Sequence, residues 1–177
     1  MGGSNTRETI LKAASQIVQS DGILELTIDA TAKRAGLSKG GVFYHFPSKE
    51  DLIKGMVNHL VEDYVDKIKN GAEQDQLDKG KWTRSFIKET FHQGSITQDL
   101  NSGLLAAIAY NPKLLKPIQE AYSEWKEKIE NDGLDPTDAT ILRLAVDGLW
   151  FSELFGVAPL SKDLRESVFN KLIQLTK

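Results

Sequence analysis

The stretch LSKGGVFYHFPSKEDL, residues 37–52, gathers hydroxyl, ammonium, imidazole and phenol groups around two adjacent glycines. Serine hydroxyls and free backbone N–H groups hold phosphate oxygens, while a lysine can reach either a backbone oxygen or the acceptors of a guanine edge. Each glycine costs about 1 kcal/mol in helix propensity relative to alanine. Such a cost is explained where a missing side chain lets backbone approach a ligand closely.

Charge follows the same pattern. The chain of 177 residues carries a net charge of −3, yet residues 30–49 contain no acid and hold Lys33, Arg34, Lys39 and Lys49. Residues 51–177 have 16 basic and 20 acidic side chains. The basic footprint is therefore local, as expected of a chain that meets a polyanion through one face.

Few enzyme chemistries fit. Without cysteine there is no disulfide, thiolate nucleophile or zinc–thiolate site, which suits a reducing, cytoplasmic setting. The histidines, His45, His59 and His92, have neither metal-ligand spacing nor a H-E-x-x-H pair, and no G-x-S-x-G, P-loop or G-x-G-x-x-G run occurs. No enzyme activity, metal or cofactor is expected. There is no secretory pattern and no run of eighteen uninterrupted apolar residues, so a soluble protein with no membrane partner is expected.

The periods that position these residues are helical throughout, predicting an all-α fold of about nine helices. Asn5 and Glu8 suggest a cap for a first helix carrying Ile10, Ala13, Ala14, Ile17 and Val18. Thr27 caps a short second helix ended by Gly36, and Ser38 a third. Ser48 with Asp51 opens a long fourth helix towards Gly71, after which residues 72–80 read as a loop or frayed connection. Trp82, Phe86 and Phe91 mark a fifth helix, Leu100, Leu104, Leu105 and Ile108 a sixth, and Leu114 to Ile129 a seventh that Pro117 kinks or delays. Asp135-Pro136 starts an eighth, apolar on two faces: Leu142, Ala145, Val146 and Leu149 on one, Ile141, Leu144, Phe151 and Phe155 towards the other. A ninth runs from Ser161 to Leu175 with Leu164, Val168 and Leu172.

Helices two and three, joined by a glycine-containing turn, describe a helix-turn-helix. Val42 and Phe46, four apart, anchor the third helix inward with Leu37. Ser38, Lys39, Gly40, Gly41, Tyr44 and His45 then face outward, flanked by Phe43. Lys33 and Arg34 face away as solvated charges. The segment TIDATAKRAGLSKGGVFYHFPSKEDLI resembles the DNA-binding region of the tetracycline-repressor (TetR) family over residues 6–60. The resemblance implies Thr27 and Lys49 as further backbone-phosphate contacts. It also marks two departures: Gly41 stands where threonine is common, and Phe43 where a phosphate-binding tyrosine is.

Residues 5–47 are thus expected to form the DNA reader, and 48–177 a ligand-binding and dimerising body. The two-faced eighth helix and the ninth are what a homodimer interface over about residues 137–176 requires. Met56, Leu60, Phe86, Leu104, Trp125 and Trp150 are candidates to line an apolar pocket, though core packing explains each individually as well. Glu153 is expected at solvent or the partner subunit, or against a cationic ligand. The functional expectation is a dimeric regulator, a repressor, that leaves a palindromic double-stranded operator when a small-molecule effector binds. The competing class is an interaction protein that binds a protein partner through the basic face.

Overall fold

Helix boundaries in this chain are set largely by local capping, and a computed structural model describes residues 2–92 and 106–177. The helices are α1 (Gly2–Ser20), α2 (Ile28–Ala35), α3 (Lys39–His45), α4 (Lys49–Glu73), α5 (Lys81–His92), α6 (residues 106–110), α7 (Lys116–Glu130), α8 (Pro136–Phe155) and α9 (Lys162–Leu175). Short 3-10 turns occupy Ile23–Glu25 and Pro112–Leu115. No strand occurs among the described residues, and the fold is all-α with an N-terminal helix-turn-helix. Leu100, Leu104 and Leu105, expected in the sixth helix, lie outside the described residues.

Three caps use the same i to i+3 device. Thr27 Oγ1 accepts from the Ala30 N–H at 3.0 Å, and Ser38 Oγ from the Gly41 N–H at 3.0 Å. Ser48 Oγ accepts from the Asp51 N–H at 3.0 Å while its hydroxyl donates to the Asp51 carboxylate at 2.6 Å. Gly36 ends α2 in the left-handed region, φ 67°, where its N–H turns back to Ala32 and Lys33. Asp135 caps α8 ahead of Pro136, and Pro117 falls in the first turn of α7, so that proline delays the helix without kinking it. Asn5 does not cap α1: the helix already begins at Gly2, and the Asn5 carbonyl accepts from the Thr9 hydroxyl at 2.8 Å.

The described residues divide into two compact units, 2–62 with 106–119 and 63–92 with 120–177. The core of the first joins Ile10, Ala14 and Ile17 of α1 to Val42 of α3, to Phe46 at its C-cap and to Leu52, Ile53, Met56 and Val57 of α4. Gly55 makes this possible, because a Cβ there would come within 2.5 Å of the Phe46 ring. The anchor of α3 thus packs directly onto the backbone of α4.

In the second unit, Asp135 and Ser161 cap α8 and α9 locally, but the start of α5 relies on long-range polar anchors. Asp132, buried beyond the end of α7, accepts from the N–H groups of Trp82 (3.1 Å) and Thr83 (2.8 Å), and its carbonyl from Gly80 at 2.6 Å. The first turn of α5 is therefore capped by a residue about fifty positions away. Arg84, also buried, makes a two-pronged pair with Asp75 at 2.9 and 3.0 Å and donates to the carbonyls of Leu77, Lys79 and Thr176. Hydrogen bonds from Arg84 hold the Asp75 carboxyl well below the usual range, at about 2. Residues 74–80 are a loop, as expected, but a loop built around one guanidinium.

Candidate nucleic-acid interface

The two faces of α3 divide cleanly. Val42 and Phe46 are buried, Leu37 packs against the same core, and Ser38, Lys39, Gly40, Phe43 and Tyr44 are exposed. Tyr44 is 84% exposed, while Gly41 and His45 are half-buried at the edge of the patch. An aromatic side chain this open has no packing duty; its ring meets the His45 imidazole edge-on at 5.2 Å. Gly40 has no protein atom within 4 Å of where a Cβ would stand, and its backbone is ordinary helix. Nothing within the chain requires glycine at that position.

Thr27 adds an exposed hydroxyl at the start of α2, already engaged in capping. Lys49 is placed differently from a free surface lysine: half-buried, its ammonium donates to the Ile23 carbonyl at 2.5 Å and lies 5.6 Å from the centre of the Tyr110 ring. It anchors the 3-10 turn ahead of α2 against the start of α4. Lys39 is paired as well, donating to the Asp29 carboxylate at 2.9 Å. The sequence reading missed Asp29 as a partner, and its signal was a single acid directly before a run of cations. Arg34, expected as a solvated charge, is paired with Asp21 at 3.0 Å.

The pocket candidates do not form one set. Phe86 and Trp125 pack together in the second unit, ring centres 6.1 Å apart, with Tyr64 and Tyr122 each about 5 Å from Trp125. Trp150 is half-buried on α8. Met56 belongs to the core of the first unit, Leu60 lies half-buried one turn further along α4, and Leu104 is outside the described residues. The polar groups around the ring cluster escaped the sequence reading. Tyr64 shares a 2.6 Å hydrogen bond with Thr90, and Tyr122 donates to Asp147 at 3.2 Å, with Arg143 on the other carboxylate oxygen at 2.8 Å. Burial pushes both tyrosine hydroxyls, and the Asp147 carboxyl, above their ordinary ranges. The i,i+4 spacing of Arg143 and Asp147 was the legible clue.

The eighth helix buries Leu142, Val146 and Leu149 but leaves Ala145, Ile141 (58%), Leu144, Phe151 (54%) and Phe155 exposed. Ala145 was expected on the buried side; it sits one position off the 142–146–149 seam. Glu153 is half-buried and accepts from Arg165 Nε at 2.6 Å, tying α8 to α9. Among the described residues no helix is long and apolar enough to cross a membrane.

Comparison with known proteins agrees with this geometry. Residues 10–56 match the family described as bacterial regulatory proteins, tetR family, and residues 80–177 the tetracyclin repressor-like C-terminal domain. The HTH-type transcriptional regulator LmrA of Bacillus subtilis is 32% identical over 162 residues, 84% of this chain and 86% of that protein. The nucleoid occlusion factor SlmA of Vibrio campbellii is 32% identical over 130 residues, 72% of this chain and 64% of its own length. Among solved structures, the fatty acid degradation regulator FadR of Bacillus halodurans superposes with a TM-score of 0.75 at 17% identity, covering 99% of this chain and 95% of that one. The chain belongs to the TetR family of non-enzymatic, DNA-binding transcriptional regulators.

Proposed function

We propose that the protein is a cytoplasmic homodimeric repressor that binds a palindromic operator through α3 and releases it when a small-molecule effector occupies the body. The observation that carries this is the division of α3 into a buried anchor and an exposed face of Ser38, Lys39, Gly40, Phe43 and Tyr44. Residues 5–47 act as the reading head and 48–177 as the effector and dimer body. Ser38 and Thr27 bind phosphate, Lys39 reaches a base edge, and Gly40 and Gly41 let the backbone approach. Tyr44 and His45 extend the contact, and Phe43 meets a thymine methyl or a sugar. Lys49 acts from its anchored position at the start of α4.

The exposed apolar residues of α8, with Leu164 and Leu175 of α9, support a dimer seam over about residues 137–176. Two heads on one duplex must then meet major grooves about 34 Å apart, so a change in their separation releases DNA. An effector achieves this only by preferring the non-binding arrangement. The ring cluster of Phe86 and Trp125 is the part of the pocket set that supports an effector site.

Selection of bound duplexes from a randomised library by the purified protein tests the reading. An enriched palindrome, with affinity that falls steeply as salt rises, is expected. No enrichment, or affinity flat against salt, returns the basic face to a protein partner.

A further inference from the structure

The Lys39–Asp29 pair bridges the two helices of the reading head. Asp29 stands in the first turn of α2, Lys39 opens α3, and the ammonium meets the carboxylate at 2.9 Å with the side chains 65% and 67% exposed. A pair so open to water adds little to folding, because solvent screens it and both side chains lose freedom in forming it. Its position suggests a different role. Residues 30–49 carry cations and no acid, so Asp29 sets a negative charge at the edge of the surface that faces phosphate. An acid there weakens attraction to every duplex alike, unless it also governs which duplex receives Lys39.

We propose that Asp29 is a specificity-determining residue, which occupies Lys39 until a duplex offers it a better acceptor. Guanine, with O6 and N7 side by side in the major groove, is such an acceptor. A duplex without guanine at that step must draw the lysine from Asp29 for a phosphate contact alone, and so gains less from it. Discrimination arises because non-operator DNA loses a cation that operator DNA recovers. The inference rests on reading α3 as the recognition surface.

The test compares the wild-type full-length protein with D29N, D29E, D21N and K39A. The probes are the consensus duplex that the wild type selects and a scrambled duplex of equal length, titrated by fluorescence anisotropy across a salt series. D29N is expected to bind the scrambled duplex about three- to ten-fold more tightly, with a salt dependence steeper by about one phosphate contact. Its affinity for the consensus duplex changes less than about two-fold, so the specificity ratio falls. D29E keeps the charge and the ratio. D21N removes an acid paired with Arg34 instead and leaves the ratio unchanged.

Equal tightening on both duplexes by D29N and D21N overturns the proposal, since net charge alone then explains the effect. K39A weakening the consensus complex while D29N alters nothing overturns the role of Asp29 and leaves the recognition surface standing. K39A without effect on either duplex removes α3 as the reader, and this proposal with it.

Discussion

The first compact unit, the helix-turn-helix head, and the second, the body, are held together in different ways. In the head, the starts of α2, α3 and α4 are each capped from within the first turn, by Thr27, Ser38 and Ser48. In the body, the start of α5 is capped by Asp132 from beyond α7, and the loop before it is organised by Arg84, which also reaches the Thr176 carbonyl near the end of the chain. The head is therefore organised largely by neighbours within one helical turn. The body is a structure of distant ties, where a single polar side chain organises segments that are far apart in sequence.

Breaking the largest of those ties gives the strongest contrast. Arg84→Met takes from Asp75 its two-pronged partner, leaving it the Leu77 N–H and Lys88, and strips three carbonyls of a donor, so unfolding in denaturant should show a loss of about 3 kcal/mol. A pH series sharpens this. Asp75 titrates near 2 when folded and near 3.8 unfolded, so its contribution is present above about pH 4 and is lost as pH falls towards 2. In Arg84→Met that acid-sensitive portion of the stability curve should disappear. An unchanged curve would mean that Arg84 does not hold the loop.

Asp132→Ala should cost about 2 kcal/mol, measured in the same way, because two N–H groups in the first turn of α5 lose their acceptor. Thr27→Ala, a cap inside one helix of the head, should cost about 1 kcal/mol. Equal losses would erase the distinction between local and long-range capping.

Gly40→Ala separates fold from function within the head. With open space around the added Cβ, the protein should gain up to about 1 kcal/mol in thermal stability while affinity for the selected duplex drops roughly ten-fold. Stability and affinity rising together would show that the glycine serves no close approach. The smallest effect is expected from Phe43→Tyr. Restoring a hydroxyl at this half-exposed position should tighten binding by about two- to five-fold, roughly the worth of one hydrogen bond, read by anisotropy.

Legibility follows the same division. The helix-turn-helix was readable because its signals sit three or four residues apart: Thr27 with Ala30, Ser38 with Gly41, Val42 with Phe46. Asp135-Pro136 and the two-faced pattern of α8 were readable for the same reason. Asn5 misled, because a capping pattern says where a helix can start and not where a preceding exposed turn must stop. The candidate pocket was the least legible region. Apolar period marks Met56, Phe86 and Trp125 alike as inward-facing, but which interior each faces depends on packing between elements distant in the chain.

Sequence alone determined the helices, their local caps, the basic stretch and the outward chemistry of α3, since each depends on neighbours within one turn. Tertiary structure decided that Lys39 rests on Asp29, that Lys49 is anchored to Ile23, that Glu153 holds Arg165 and that Arg84 gathers a loop and the chain end. These are choices among partners for charged groups. Many partners satisfy the chemistry of a long side chain, and only the folded geometry brings one of them within hydrogen-bonding distance.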